Sequence, residues 1–169
     1  MLTIVVRPAK HSAGFLILSG ARVLLLRRAP QVRNGDTWGL PGGQIDRREA
    51  AYAAAVRESV EELAGLPAHA IVGAAAVQRG ARRYEVFACR APRRLRRDWS
   101  PRLNHEHVDF IWADWRWLFQ RRANLHPVLG ALLGARDGRR WLERMLMTPD
   151  AEHLPGGRRL SDGVRPACA

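Results

Sequence analysis

One long helical pattern, over residues 48–64, constrains the fold most, because the rest of the chain is patterned for short elements and turns. The segment is rich in alanine, which favours helix. Four apolar residues recur along it at spacings of four, four and three, as one helix face requires: Tyr52, Val56, Val60 and Leu63. Gly65-Leu66-Pro67 ends the pattern, so the helix must find its packing partners in the strands around it.

Shorter apolar runs on both sides of the helix predict a sheet. We expect strands at residues 15–18, 22–27, 37–40, 71–78, 82–89 and 108–113. Two further short helices are expected at 125–133 and 139–147. Turns and loops are expected at 19–21, 31–36, 41–43, 90–104 and 114–118. This order predicts an α+β fold in which the long helix packs against a mixed sheet.

Composition and length limit the class of protein. The 169 residues suit a single domain, which we place at residues 1–147, followed by a flexible tail at 148–169 that is rich in Pro, Gly and charge. Cys89 and Cys168 are far apart and lack metal-type spacing, which predicts a reducing compartment. No apolar run is long enough to cross a bilayer. We therefore expect a cytoplasmic protein without a membrane partner.

The formal net charge of +12 is carried almost entirely by arginine, since Lys10 is the only lysine. Residues 79–102 alone hold nine arginines against Glu85 and Asp98. Guanidinium groups fit phosphates in a bidentate fork, which favours an anionic partner. Two interpretations stand: a functional preference for phosphates, or a compositional habit of the source genome that leaves a solvated basic loop.

Three carboxylates share one face of the predicted helix. At about 100° per residue, Glu58, Glu61 and Glu62 lie at roughly 0°, 300° and 40°. Like charges at these spacings cost roughly 0.2–0.5 kcal/mol per pair, so something should offset them. A hard divalent cation with oxygen ligands is one explanation. The other is a solvated acidic face, relieved in part by Arg57 pairing with Glu61.

The residues before the helix favour the cation. Gly42 and Gly43 form a turn at which a backbone carbonyl can face the same ion. The chain resembles the Nudix box of the Nudix hydrolases over the pattern Gly43-x5-Glu49-x7-Arg57-Glu58-x2-Glu61-Glu62, with the entry Trp38-Gly39-Leu40-Pro41-Gly42. It departs from that box at two positions outside the carboxylate set: Ala64 stands where glycine is usual, and Ser59 where an aliphatic residue is usual.

The resemblance implies an α/β/α sandwich and a metal site on the box helix. Glu61 and Glu62 would be the main Mg²⁺ ligands, aided by the Gly42 carbonyl, with Mn²⁺ as a substitute. Glu58 would be a further ligand or the base that prepares the attacking water. Members of the family often draw another acidic residue from a later loop, and Glu106 is the candidate here, as base or extra ligand. The alternative for Glu106 is an ordinary surface carboxylate.

The resemblance also implies supporting residues around the metal site. Arg57 would orient the glutamates, and Glu49 and Gly43 would support the loop and the start of the helix. We expect three further residues to contact substrate: Trp38, Tyr84 and Arg82.

The implied function is Mg²⁺-dependent hydrolysis of a diphosphate linkage in a nucleoside diphosphate-linked small molecule. Two alternatives stay open. One is an RNA 5′-end pyrophosphohydrolase that uses the arginine-rich loop at 90–102, and the other is a non-catalytic module that binds nucleotide or RNA. A homodimer is expected because relatives in the family often form one.

Overall fold

The computed structural model describes residues 10–148, which fold around a seven-stranded mixed sheet. Its strands are β1 (Lys10–Ser19), β2 (Arg22–Arg28), β3 (Trp38–Gly39), β4 (Gly42–Gln44), β5 (Ala70–Arg79), β6 (Arg82–Ala91) and β7 (His107–Ala113). The central strand, β1, runs parallel to β6 and antiparallel to β2 and β4. The sheet is extended by β5 beyond β6, and by β3 and β7, which both pair with β2.

Continuous apolar runs explain why β1 and β2 lie at the centre. Residues 13–19 of β1 and 23–26 of β2 are buried, and a strand covered on both faces reads as an unbroken apolar run. A tight turn at Gly20 and Ala21 joins the two strands, and the φ of +58° at Gly20 favours glycine. The predicted hairpin is therefore confirmed.

Helices cover both faces of the sheet. They are α1 (Ala51–Leu63), α2 (Leu95–Asp98), α3 (Trp115–Gln120), α4 (Pro127–Gly134) and α5 (Arg136–Met147). One face packs against α1 through a cluster that includes Phe15, Ile17 and Leu24. The opposite face packs against α3, α4 and α5 through Leu118, Leu129 and other apolar side chains. The arrangement is an α/β/α sandwich, which confirms the predicted fold class.

The end of α1 is tied to the segment that leads into β7. The backbone amides of Arg102 and Asn104 donate to the carbonyls of Leu63 and Glu62, at 3.1 and 3.3 Å. These bonds satisfy carbonyls that a helix end otherwise leaves unpaired. The chain leaves the helix at Ala64, whose φ of +54° is left-handed. That conformation explains why glycine is usual at this position of the Nudix box.

Several element bounds differ from the prediction. Residues 114–118, predicted as a turn, open α3 because the Asp114 carboxylate accepts from the Trp117 amide at 2.9 Å and caps the helix. The predicted turn at 41–43 is interrupted by β4, where Gly42 and Gly43 pair with β1. The long helix begins at Ala51, because the φ of +68° at Arg48 is incompatible with helix. The predicted loop 90–104 contains α2.

Two of the remaining predictions concern the terminus and the membrane. The division into a domain at 1–147 and a tail stays a prediction, because residues 149–169, including Cys168, lie outside the described part of the chain. Between residues 10 and 148 no helix combines the length and apolar character that a membrane crossing needs.

Cys89 is buried and unbridged, and burial raises the pKa of its thiol to about 12, so it is not a reactive thiolate.

Candidate active site

A cavity of about 430 Å³ opens beside α1, above the strand ends of β1, β4, β5 and β6. Sites for small molecules have volumes of roughly 300–1,000 Å³, so the size suits a nucleotide-like ligand. We call one part of its wall the acidic end, formed by Glu58, Glu62 and Glu106 beside Gly42 and Gly43. Cationic side chains line the rest of the wall: Lys10, Arg28, Arg33, Arg79, Arg82 and Arg83. The cavity therefore combines cation-binding and anion-binding groups.

The glycine pair at β4 lets three parts of the chain meet at the acidic end. Gly42 has a φ of +143°, and a Cβ there would overlap Gly14 of β1 and the Tyr84 hydroxyl. A Cβ on Gly43 would overlap the carboxylate of Glu58. Position 42 needs glycine, because the β1 backbone lies against it, whereas a side chain at position 43 would displace the Glu58 carboxylate.

Glu62 is the most buried carboxylate at the acidic end, with an exposed fraction of 3%. Its Oε2 accepts from the Gly42 amide at 2.8 Å, which places the amide, and not the expected carbonyl, against this side chain. Burial raises the pKa of Glu62 to about 8, and the negative charges of Glu58 and Glu106 add to the effect. Without a bound cation, Glu62 therefore holds a proton at neutral pH.

The buried side chain of His107 lies beside the buried side chain of Glu62. Its Nε2 lies 3.8 Å from Glu62 Oε1, and its Nδ1 lies 3.2 Å from the Asn104 side-chain oxygen. Burial lowers the pKa of His107 to about 4, so the imidazole is neutral at pH 7. The contact with Glu62 is therefore between two neutral groups and is not an ion pair.

Arg57 links the β4–α1 loop to α1 by donating hydrogen bonds to several acceptors. Its guanidinium donates to both oxygens of Glu49, each at 3.0 Å, to Glu58 Oε1 at 2.8 Å and to the Gln44 carbonyl at 3.0 Å. Glu61, the partner expected from helical spacing, is farther away at 3.6 Å. The hydrogen bonds from Arg57 lower the pKa of Glu49. The Oε2 atom of Glu49 also accepts from the Asp46 amide at 2.9 Å. Glu49 therefore links the β4–α1 loop to the helix.

The other three glutamates differ in their surroundings. Burial raises the pKa of Glu58, although the hydrogen bond from Arg57 opposes that shift. Glu106 lines the cavity and lies 3.4 Å from Arg28. The Glu61 side chain is 57% exposed and does not line the cavity. The structure thus brings Glu58, Glu62 and Glu106 to one cavity and leaves Glu61 on the helix surface.

The donor chemistry of the acidic end fits a hard divalent cation. Three carboxylates face one cavity. Burial raises the pKa of Glu62 most, the charges of Glu58 and Glu106 raise it further, and a bound cation would offset both effects. In this conformation protein donors occupy the carboxylates, and within residues 10–148 no three acidic, His or Cys side chains stand close enough to hold an ion. Metal binding would require the side chains of Glu61 and Glu62 to reorient.

The three expected substrate contacts have different positions. Arg82 is exposed and lines the cavity. Tyr84 lies in the cavity floor with its hydroxyl beside Gly42, and burial raises the pKa of that hydroxyl. Trp38 is not among the lining residues; its ring packs edge-on against Trp117 with centroids 5.6 Å apart. The position of Trp38 gives no support to an expected contact with a substrate base.

The arginines of the loop at 90–102 are also absent from the cavity lining. Three of the basic side chains that do line it come from elsewhere in the arginine-rich stretch, at the tip of the β5–β6 hairpin: Arg79, Arg82 and Arg83. The loop expected to clamp phosphates therefore lies outside the cavity.

Two histidines of the site were missed by sequence reasoning. Spacing alone gave His107 no role, and its inward position is set by the start of β7. His126 lines the cavity, caps α4 by accepting from the Val128 amide at 3.4 Å, and lies 3.1 Å from the Asn34 amide nitrogen. The His126-Pro127 pair was an available signal, since proline is favoured in the first turn of a helix.

Comparisons with known proteins all indicate the same family. Residues 9–133 match the family model described as the NUDIX domain. Over 65 residues the chain is 46% identical to a Mycobacterium tuberculosis protein named putative 8-oxo-dGTP diphosphatase 3, found in strains H37Rv and CDC 1551. That match covers 35% of this chain and 30% of the relative, so the chain spans less than a third of the curated relative it matches.

Solved structures resemble the whole sandwich. A crystal structure of RenU, a Nudix hydrolase from M. smegmatis, matches with a TM-score of 0.62 and 27% identity, covering 83% of this chain and 88% of that chain. A Caenorhabditis elegans Ap4A hydrolase binary complex matches with a TM-score of 0.57 and 18% identity, covering 80% and 93%. The second likeness shows the fold alone.

Proposed function

Because this chain belongs to the Nudix hydrolase family, we propose that it hydrolyses a diphosphate linkage in a nucleotide-like substrate with the help of Mg²⁺. One observation carries the proposal: Glu58 and Glu62, one helical turn apart, face the same cavity as a glycine pair and a set of arginines. Nudix hydrolases generally use divalent metal ions. A non-catalytic binding module would have no need of crowded carboxylates whose charges oppose one another.

We assign the metal to the acidic end. Glu61 and Glu62 would be its main ligands, with the Gly42 carbonyl as a further oxygen donor, and Glu58 would either join them or act as the base. When bound, Mg²⁺ supplies positive charge and Lewis acidity to the diphosphate. Glu62 would release its proton on loading, because its buried side chain holds one in the metal-free state. Arg57 would act as a positioning residue, since it fixes Glu58 at 2.8 Å and Glu49 at 3.0 Å.

The attacking water needs a group that takes its proton. Glu58 suits this role, because it faces the cavity and burial raises its pKa, which makes its carboxylate a stronger base. Glu106 faces the same cavity but has its charge balanced by Arg28 at 3.4 Å. Glu58 is therefore our first choice for the base, and Glu106 is the second.

Nucleotides of low molecular mass fit the cavity better than an RNA end. The volume of about 430 Å³ suits one small molecule. An RNA clamp at residues 90–102 would have to act from outside the cavity wall. Nucleoside triphosphates come first among candidate substrates, because the M. tuberculosis relative is named for such a compound.

A substrate panel tests the proposal. Purified protein is incubated with Mg²⁺ and nucleoside triphosphates, dinucleoside polyphosphates or nucleoside diphosphate sugars, and products are separated by anion exchange. We expect cleavage of a phosphoanhydride bond in at least one substrate, and loss of cleavage when EDTA is added. If no member of the panel is cleaved with Mg²⁺ or Mn²⁺, the catalytic proposal is wrong.

A further inference from the structure

Asn104 lies where the C-terminal end of α1 meets the segment that leads into β7. Its backbone amide donates to the Glu62 carbonyl at 3.3 Å. Its side-chain Oδ1 accepts from the Glu106 amide at 3.1 Å and lies 3.2 Å from His107 Nδ1. One residue therefore connects the helix that carries Glu62 to the segment that carries Glu106.

The orientation of the Asn104 side chain follows from its partners. The backbone amide of Glu106 can only donate a hydrogen bond, so the side-chain atom that faces it must be the oxygen. The same oxygen is the partner of His107 Nδ1. Asparagine and aspartate both suit such a turn, because their short side chains reach the backbone two residues further along the chain. An apolar residue at position 104 supplies no acceptor for these two donors.

A bulge interrupts the pairing of β7 with β2 at the start of β7. Arg27 lies opposite Asp109 and Arg28 lies opposite His107, so β7 contains one extra residue in this interval. Bulges bend a strand and redirect its side chains. His107 is buried, whereas Val108 is 53% exposed. Because the ladder is irregular here, strand pairing holds the residues that precede it less firmly.

Glu106 is held from two sides at this point. Its carbonyl accepts from the Ala29 amide at 2.8 Å, just beyond the end of β2, and its carboxylate lies 3.4 Å from Arg28. These contacts connect Glu106 to the sheet. The bond to Asn104 connects it instead to α1, through the Glu62 carbonyl. The distance between the Glu62 and Glu106 carboxylates therefore depends on Asn104.

Asn104 does not itself line the cavity, so its effect on a ligand there must pass through the residues it holds. We propose that Asn104 is a positioning residue: its side-chain oxygen keeps Glu106 at the acidic end, where Glu106 and Glu62 act at one bound cation. This inference rests on the proposed function for the cation. It adds a residue outside both the cavity wall and the Nudix box on which binding of that cation depends.

Metal binding in the absence of substrate tests the inference. Leucine at position 104 keeps a branched side chain but removes the acceptor, so Glu106 loses its connection to α1. We expect Asn104→Leu to bind Mn²⁺ roughly tenfold more weakly in calorimetry, as is usual when a residue that orients a metal-binding group is lost. Asn104→Asp keeps the acceptor and should bind Mn²⁺ at least as tightly as the wild type, because added negative charge favours a cation. Equal losses in the two variants overturn the inference.

A double variant shows whether Asn104 acts through Glu106. Glu106→Gln alone should weaken Mn²⁺ binding. Adding Asn104→Leu to it should cause less than about a twofold further loss, because changes to residues that act as one unit are not additive. If the two losses multiply, Asn104 does not act through Glu106 and the inference is wrong.

A matched control makes the same substitution elsewhere. Asn124 is exposed and does not line the cavity, so Asn124→Leu should leave the Mn²⁺ affinity unchanged. A loss as large as that of Asn104→Leu would show that the effect is not specific, which contradicts the inference. Urea unfolding checks that each variant is folded. If Asn104→Leu does not fold, Asn104→Ala, which also lacks the acceptor, gives the same comparison with Asn104→Asp.

The outcomes separate this inference from the catalytic proposal. If the wild type binds Mn²⁺ but cleaves no substrate, the catalytic proposal fails, and the variants still decide the role of Asn104. If the wild type and Asn104→Leu bind Mn²⁺ equally, the inference is overturned even where a substrate is cleaved. Absence of Mn²⁺ binding to the wild type contradicts the inference and the metal site together.

Discussion

The two ends of the cavity differ in how their charges are satisfied. At the acidic end each carboxylate has a protein donor or cation beside it: Glu62 has the Gly42 amide, Glu58 has Arg57, and Glu106 has Arg28. At the end formed by β1, β5 and β6, the cations Lys10, Arg79 and Arg82 have no carboxylate partner within residues 10–148. The acidic end is thus held in place before any ligand arrives, whereas the described chain supplies no counter-charge to these three cations.

The two ends also differ in how well their residues could be predicted from the sequence. The acidic end is built mainly from one turn and one helix, so its residues keep fixed spacings from Gly42 to Glu62. The other end is assembled from β1, β5 and β6, and only strand register brings Lys10 beside Arg82. Arginine content pointed to an anionic partner but selected the loop at 90–102, which does not line the cavity.

The largest expected effect comes from breaking the acidic end. Replacing Glu62 with Gln removes a buried ligand oxygen and should lower kcat at least about 100-fold. The matched variant Glu61→Gln should lose less activity, because that side chain is exposed and lies outside the cavity in the metal-free conformation. Initial rates of phosphate release measure both. Equal activity of Glu62→Gln and wild type would remove Glu62 from the mechanism.

A second effect concerns stability in EDTA as a function of pH. The pKa of Glu62 is about 8 in the folded chain against 4.5 as the ordinary value, so the folded protein keeps a proton that the unfolded chain releases. Its contribution is fully present below about pH 4.5 and is lost as pH rises through about 8, at roughly 1.4 kcal/mol per unit of raised pKa. Urea unfolding between pH 5 and 9 should show this decline, and Glu62→Gln should not.

Two histidines, His107 beside Glu62 and His126 in the cavity wall, act in the opposite direction, which makes the comparison with the variant necessary. Because the pKa values of His107 and His126 are lowered to about 4, their contribution is present above pH 6.5 and is lost as pH falls through about 4. Well above pH 6.5 both imidazoles are neutral in the folded and the unfolded chain alike, so in that range the difference between wild type and Glu62→Gln reports Glu62. A difference that does not change with pH would contradict the raised pKa of Glu62.

Sequence pattern predicted a long helix against a mixed sheet, because apolar periodicity and glycine turns are local signals, and the family resemblance implied the sandwich. It could not predict that Trp38 packs against Trp117, or that His107 faces Glu62, because both contacts join distant segments. The turn predicted at 114–118 is a helix because Asp114 supplies a cap, and a cap is easily missed before a short apolar run.

The smallest expected effect concerns the stability of α1 at its C-terminal end. Ala64 adopts a left-handed conformation, so Ala64→Gly should raise the free energy of unfolding by about 1 kcal/mol. The control is Ala53→Gly on the exposed side of α1, which should lower it by roughly 0.5–1 kcal/mol. Urea denaturation measures both changes. Destabilisation by Ala64→Gly would contradict the left-handed conformation of Ala64 at the end of α1.

Calorimetric titration of the metal-free protein with Mn²⁺ tests the account most directly, when repeated at pH 7 in two buffers that differ in ionisation enthalpy. We predict that the wild type binds the ion and releases a proton from Glu62, and that Glu62→Gln binds more weakly without that proton. Absence of binding to the wild type, or the same affinity and proton release in both proteins, would contradict a metal site at the acidic end.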